Sequence, residues 1–313
     1  MLNRRDFVQG TAAAATAISL ASNQAEAGEK TGRKTMAIVS TEWRYHSHSQ
    51  HMGDRFLHGY PTGGTWNQPR LDVVSLYADQ VPKNDLSRAR QAEFGFKIFP
   101  TVAETLRRGG RKLAVDAVLS IGDHGTYSFN RLGQKRYPRK RFFDEIVATM
   151  KRSRRSVPLF NDKHLSYRWD WAREMYQTAQ ELKIPFMAGS SVPLATRRPN
   201  LELPPGQLID EAISIHGGPL ESYDFHGLEL LQSMIESRKG GETGVASVEF
   251  LAGDAVWQAA KQGRWSIDLA HEAMKAELGK PLEDLRFVPG ETKRAAHALL
   301  IKYRDGTKGT VLR

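Results

Sequence analysis

The sequence predicts an α/β fold: a doubly wound parallel sheet followed by a smaller α+β domain. Three observations carry that expectation. Short apolar runs rich in β-branched residues alternate with amphipathic stretches of ~10–15 residues, the pattern of βαβ units. Past Pro193 the texture changes to Pro-rich connections and then to mixed strand and helix patterns. The length of 313 residues leaves room for about two domains, each with its own core.

The elements follow in order. Residues 36–40 (MAIVS) form a buried-strand pattern, and polar residues with four histidines run from there to Tyr60. Pro61-Thr-Gly-Gly64 and Gln68-Pro69 mark a loop. Residues 72–77 form a second strand that ends at Ala78-Asp79. Asp85 to Gly95 reads as a capped helix with Gly95 as its stop, and Lys97 to Pro100 as a short strand. Thr101 followed three positions later by Glu104 is a capping box for a helix through Leu106. Strands at 114–121, 157–160 and 184–188 then alternate with helices at 139–151 and 167–182. In the second domain, 212–215 and 246–251 are strand-like, and 225–236 and 254–278 are helical. Residues 295–303 and 309–312 form paired strands around Arg304-Asp305-Gly306. The last strand runs to Arg313, so the final sheet reads as unfinished. The organisation expected is a segment 1–27, a linker 28–34, a Rossmann-like sheet domain over 35–190, and an α+β substrate or oligomerisation domain over 191–313.

Composition excludes several classes. At 40% hydrophobic and 26% charged the chain is neither disordered nor fibrous, and no window approaches the ~18 apolar residues of a membrane span. The absence of cysteine removes disulfides, thiolate–zinc sites and cysteine nucleophiles. The net charge of +10 arises from short clusters such as Arg139-Lys140-Arg141 and Lys151-Arg152. These complete no nucleic-acid-binding signature and read as solvated faces. No nucleic-acid partner is expected.

Residues 1–27 read as an export address. Asn3-Arg4-Arg5-Asp6-Phe7-Val8 resembles the twin-arginine consensus, an apolar stretch follows from Thr11 to Ala21, and Ala25-Glu26-Ala27 is a small-x-small cleavage site. The expectation is an exported, periplasmic protein carried by the twin-arginine machinery, with a mature chain beginning at Gly28.

Three stretches resemble the Gfo/Idh/MocA family of oxidoreductases. Phe99-Pro-Thr-Val-Ala-Glu104 with Val115-Asp-Ala-Val118 is similar to one of its helix–strand runs. Val157-Pro-Leu-Phe-Asn-Asp-Lys-His-Leu165 stands where the family has its Glu-Lys-Pro motif. Tyr223-Asp-Phe-His-Gly227 resembles its inward histidine region. The resemblance implies NAD or NADP and hydride transfer to or from a sugar, polyol or related hydroxyl compound, and an exported enzyme would have to carry that cofactor tightly bound. Lys163 and His226 would handle the hydroxyl proton, with Asp224 beside them. Ser40, Thr41, Arg44, Asp79, Gly122, His124, Asp162 and Lys163 would line the cofactor, and homo-oligomers are usual in the family.

The residues also support a second reading. The stretch Ser40-Thr-Glu-Trp-Arg-Tyr45 has no glycine before Gly53, whereas a G-x-G-x-x-G turn admits the pyrophosphate. A Rossmann-like protein that has lost its nucleotide and binds a carbohydrate or anionic ligand is the alternative, and an inactive truncated relative is a third. His46, His48 and His51, with His58 two turns on, are candidates for substrate or phosphate contact. The sequence assigns no metal site.

Overall fold

The computed structural model describes residues 32–286 and 296–313. The twin-arginine segment expected at 1–27 and the start of the linker after it lie outside the described residues. Residues 34–313 form one compact unit that holds both main sheets.

Period-two burial shapes the first sheet. In β1 (Lys34–Ser40), Met36 and Ile38 face one side while Ala37 and Val39 face the other, as alternate Cβ directions require. Both sides are covered, so the strand reads as a continuous apolar run. Its sheet also contains β4 (Leu71–Ala78), β5 (Lys97–Ile98), β6 (Ala117–Ile121), β7 (Leu159–Asp162) and β8 (Phe186–Gly189). The order is β5-β4-β1-β6-β7-β8 and all pairings are parallel. The order reverses beside β1, between β4 and β6, which is where such sheets open a crevice at their carboxyl edge.

Helices pack on both faces. On one, α1 (His48–His58) lays Met52 and Phe56 against Met36, Ile38 and Leu76, and α2 (Ser87–Phe94) adds Phe94. On the other, α3 (Val102–Arg107), α4 (Arg139–Ser153) and α5 (Trp169–Glu181) bury Leu106, Phe142, Ile146 and Met175. The capping box holds: Thr101 Oγ1 accepts from the Glu104 backbone N–H at 3.1 Å. Gly95 ends α2 in the left-handed region at φ 75°. Asp85 is not the cap of α2. Its carboxylate instead accepts from Ser87 Oγ at 2.7 Å, and the helix starts two residues later. The loop expected at 61–64 is a hairpin, β2 (Tyr60–Thr62) with β3 (Thr65–Asn67), turned by Gly63 and Gly64 at positive φ.

The second sheet is mixed, in the order β10-β11-β12-β9. It comprises β9 (Glu211–Ile215), β10 (Val245–Ala252), β11 (His297–Tyr303) and β12 (Lys308–Leu312). The last strand lies inside this sheet, antiparallel to β11 and parallel to β9. One face packs α6 (Leu220–Ile235) through Leu231 and Ile235 on Ile301, Tyr303 and Val311. The other packs α7 (Asp254–Lys261) and α8 (Ile267–Leu278) around Trp265, Ala298 and Leu312.

Trp43 fixes the entry into α1. Its indole is fully buried, stacked 6.2 Å from the Phe96 ring, and it lies against Gly53 so closely that a Cβ there would fall 2.3 Å from the ring. Gly53 is therefore a packing glycine for Trp43. Removing the indole by Trp43→Ala should cost about 3–5 kcal/mol in chemical denaturation. Gly53→Ala should cost about 1–3 kcal/mol in the native chain and much less in the Trp43→Ala background. Equal costs in both backgrounds would refute the contact.

Candidate active site

Chemistry-bearing side chains gather at the carboxyl ends of β1, β6, β7 and β8, where the first sheet meets α6. Lys163 follows β7 with φ 66°, a left-handed conformation that costs a non-glycine residue about 1–3 kcal/mol. Its backbone N–H bonds the Gly189 carbonyl at 2.9 Å, which extends the β7–β8 pairing and sets the side chain's direction. Lys163 Nζ then lies 3.3 Å from Asp123 Oδ2 and 3.1 Å from His226 Nε2, so the ammonium joins the first sheet to the second domain's helix.

Behind His226 stands a carboxylate. His226 Nδ1 is 3.3 Å from Glu229 Oε2, one helical turn along α6. Glu229 also accepts from the Ser190 backbone N–H at 2.8 Å and from the Ser190 hydroxyl. Burial would raise the Glu229 carboxyl, but the hydrogen bonds from His226 and Ser190 outweigh it and hold Glu229 below the usual carboxylate range. Lys163 Nζ against Nε2 and a carboxylate against Nδ1 match an imidazole that carries a proton on Nδ1 and accepts at Nε2. The sequence resemblance implied Lys163 and His226, and these converge from 63 positions apart. Glu229 was missed, although its i+3 spacing from His226 on a helix was the signal available.

Asp123 anchors the other side. Burial would raise its carboxyl, but Lys163, Arg139 and the nearby histidines hold it far below the ordinary range. Arg139, 2% exposed, reaches Asp123 Oδ1 at 3.7 Å and donates to His164 Nε2 at 3.0 Å. His164 is pushed down to about 3 by burial and then by the Arg139 charge, so it stays neutral. His48, the first residue of α1, reaches Asp162 Oδ2 at 2.6 Å and Asp123 Oδ2 at 3.6 Å. Of the histidines at 46, 48 and 51, His48 alone enters this network. The His46 ring packs against Tyr45 and His51, and the His58 ring against Phe94. His124, at φ 68°, places its ring 5.0 Å from that of His48, and burial lowers its pKa. Gly122 fits only without a side chain, because a Cβ there would lie 2.5 Å from Arg139 Cγ. Asp224 points elsewhere: its carboxylate contacts His216 and His297.

The expected cofactor-lining residues divide into two groups. Lys163, Asp162, His124 and Gly122 lie in or beside the cluster of Lys163, Asp123, His48 and Arg139. The β1–α1 turn does not fit the usual diphosphate cradle. Ser40 and Thr41 are fully buried, with Ser40 bonded to Ser49 and to the Glu42 carbonyl, and Thr41 to the Asp123 carbonyl. Arg44 is taken up by Glu42 at 2.6 Å. Asp79 is engaged on both oxygens, by the Tyr77 and Tyr127 hydroxyls at 2.6 and 2.7 Å and by Arg141. Tyr127 and Arg141, the partners of Asp79, also line a groove of about 550 Å³ together with Tyr137, Tyr167 and Trp171. Tyr137 lies between groove and centre: burial and then the Asp123 charge push its phenol up to about 12.

No known family model matches the sequence, and no curated protein is similar to it. Solved structures do resemble the fold. One, named as a dehydrogenase, comes from Bordetella bronchiseptica RB50; it is 14% identical, with a TM-score of 0.48 over 90% of this chain and 60% of that one. The myo-inositol 2-dehydrogenase of Lactobacillus plantarum is 11% identical, with a TM-score of 0.47 over 90% of this chain and 69% of that one. An oxidoreductase of Agrobacterium radiobacter, solved with NAD+, L-tartaric acid and magnesium, is 12% identical, with a TM-score of 0.47 over 90% and 66%. This chain thus spans about 60–69% of the length of these three proteins.

Proposed function

We propose that this chain is an oxidoreductase of a sugar, polyol or related hydroxyl compound, with Lys163, His226 and Glu229 as its proton relay. The contact of Lys163 Nζ with His226 Nε2 at 3.1 Å carries the reading. Oxidising a carbinol removes one proton from oxygen and one hydride from carbon. The relay accounts for the proton. Lys163 passes a proton to His226 Nε2, the imidazolium is stabilised by ionised Glu229 on Nδ1, and the freed amine takes the hydroxyl proton. Asp123, 3.3 Å from Nζ, keeps Lys163 in place. The hydride partner that this reading calls for is NAD or NADP, although the closed β1–α1 turn gives its diphosphate no standard seat. The aromatic and polar groove beside Tyr137 suits a carbohydrate-like substrate. In this proposal the twin-arginine segment exports the folded protein, and N-terminal sequencing of the secreted form should begin at Gly28.

One observation favours a second reading. Trp43 fills the space under α1, and Ser40, Thr41, Arg44 and Asp79 are all bonded inward, so the domain can hold a carbohydrate or anion with no dinucleotide. Calorimetric titration with NAD(H) and NADP(H), with absorbance assays on polyols and sugars, separates the two. The oxidoreductase reading expects saturable binding and turnover. Lys163→Ala should lower turnover by about 10²–10⁴-fold, and Glu229→Gln should lower kcat by a smaller factor with KM little changed. Folded protein that binds neither nucleotide would overturn the oxidoreductase reading.

The buried histidine sets the acid response. An unfolded chain protonates His164 near its ordinary value of 6.5, while the native site resists until about pH 3. Acid therefore favours the unfolded state. Stability should fall below about pH 6.5, by on the order of 1 kcal/mol per pH unit from this group, and His164→Gln should flatten the decline. An unchanged slope in that variant would contradict the assignment.

A further inference from the structure

Two histidines and an aspartate outside the proton relay converge on one point between α6 and the second sheet. The β9 side chains that face α6 fall at alternate positions, Ala212 and Ser214, and His216 continues that phase one residue past the strand. On β11, Leu299, Ile301 and Tyr303 face the same helix, and His297 at the strand's start shares their phase. From α6 comes Asp224. Positions 224 and 226 are about 200° apart around a helix, so Asp224 faces this sheet while His226 faces Lys163.

The donor atoms meet closely. His297 Nε2 lies 2.9 and 3.0 Å from the two Asp224 oxygens, and His216 Nε2 lies 3.1 Å from Asp224 Oδ1. All three side chains are about nine-tenths buried. His216 is the informative member. Both of its ring nitrogens are buried and neither makes a hydrogen bond among the described residues, although Nε2 is within reach of the carboxylate. A nitrogen that is near an oxygen yet misaligned for hydrogen bonding is an orphan, and a buried orphan costs about 1–3 kcal/mol. The donor atoms of His216, Asp224 and His297 all lie within 4.8 Å of one another, close enough to share a cation. The nearby Arg313 Nε is committed to the Gly218 carbonyl at 2.9 Å.

We propose that His216, Asp224 and His297 form a divalent transition-metal site of zinc type, with two imidazoles, one carboxylate and one position open to water. Nitrogen and oxygen donors at ~2.0–2.1 Å around tetrahedral zinc stand roughly 3.3 Å apart, so the present spacings need to widen by only a few tenths of an ångström. Two neutral imidazoles and one carboxylate carry a single negative charge, and the ion leaves the buried site at +1. The second His/Asp group, His48 with Asp123 and His124, is a weaker candidate, because Lys163 and Arg139 already neutralise Asp123 there. Metal at the α6 site would clamp the amino-terminal half of the helix that presents His226, so it would brace the relay from behind.

The test is Co2+ titration of the full chain after chelator treatment, read by visible absorption and thermal unfolding. The proposal expects one Co2+ per chain, the visible bands of four-coordinate cobalt, a higher Tm, and displacement by one equivalent of Zn2+. His216→Ala with His297→Ala should weaken binding by roughly 100-fold or more, while His48→Ala with His124→Ala should leave it intact. Asp224→Asn, nearly isosteric, guards against a double variant that fails to fold: loss of the cobalt bands with unchanged near-UV circular dichroism supports the site. No cobalt uptake by the folded native chain would overturn the proposal, as would uptake that survives Asp224→Asn at full strength.

Discussion

The Lys163 ammonium is the constraint on which the rest of the site depends. It is held between a carboxylate from the first sheet and an imidazole from the second domain's helix, at 3.3 and 3.1 Å. Little solvent reaches it, so each partner counts for more than it would on a surface. Asp123 can stay ionised in that burial only because Lys163 and Arg139 surround it. His164 must stay neutral because Arg139 already donates to it. Glu229 fixes the His226 ring, and Ser190 fixes Glu229. Removing any member leaves a buried charge or donor without its counterpart, so the network stands or falls largely as a unit.

The first turn of the sheet follows a different logic. A glycine-rich turn keeps space open for a diphosphate, whereas here an indole occupies the space and the one glycine of α1 exists to admit it. The side chains that would reach outward bond inward, Ser40 to Ser49 and Arg44 to Glu42. The result is a rigid, closed floor beneath a polar centre, with the open groove displaced toward Tyr127 and Trp171. The chemistry-bearing side chains still gather at the carboxyl edge of the sheet, where the reversal of strand order opens a crevice.

Much of this was legible in the sequence, and for identifiable reasons. Short apolar runs rich in β-branched residues placed β1, β6 and β7, the Thr101–Glu104 box placed α3, and Gly95 stopped α2. Lys163 and His226 were named through a resemblance, and their meeting is a tertiary fact that spacing alone does not contain. Asp123 and Arg139 were missed because a carboxylate after a strand and an arginine at a helix start are ordinary surface features until the fold brings them together. Asp224 was assigned to the relay by its proximity to His226 in sequence. Helical geometry sends it to the opposite face, where His216 and His297 wait from strands that the sequence did not connect.

The central claim is that His226 relays a proton between Lys163 and Glu229, and its resting tautomer tests this most directly. Nitrogen-15 NMR of the histidine rings at about pH 8 reads which nitrogen carries the proton. The account predicts a neutral His226 ring protonated on Nδ1, with Nε2 bare toward Lys163, and a changed Nδ1 signal in Glu229→Gln. A proton resident on Nε2 would turn a donor toward the Lys163 ammonium and contradict the relay.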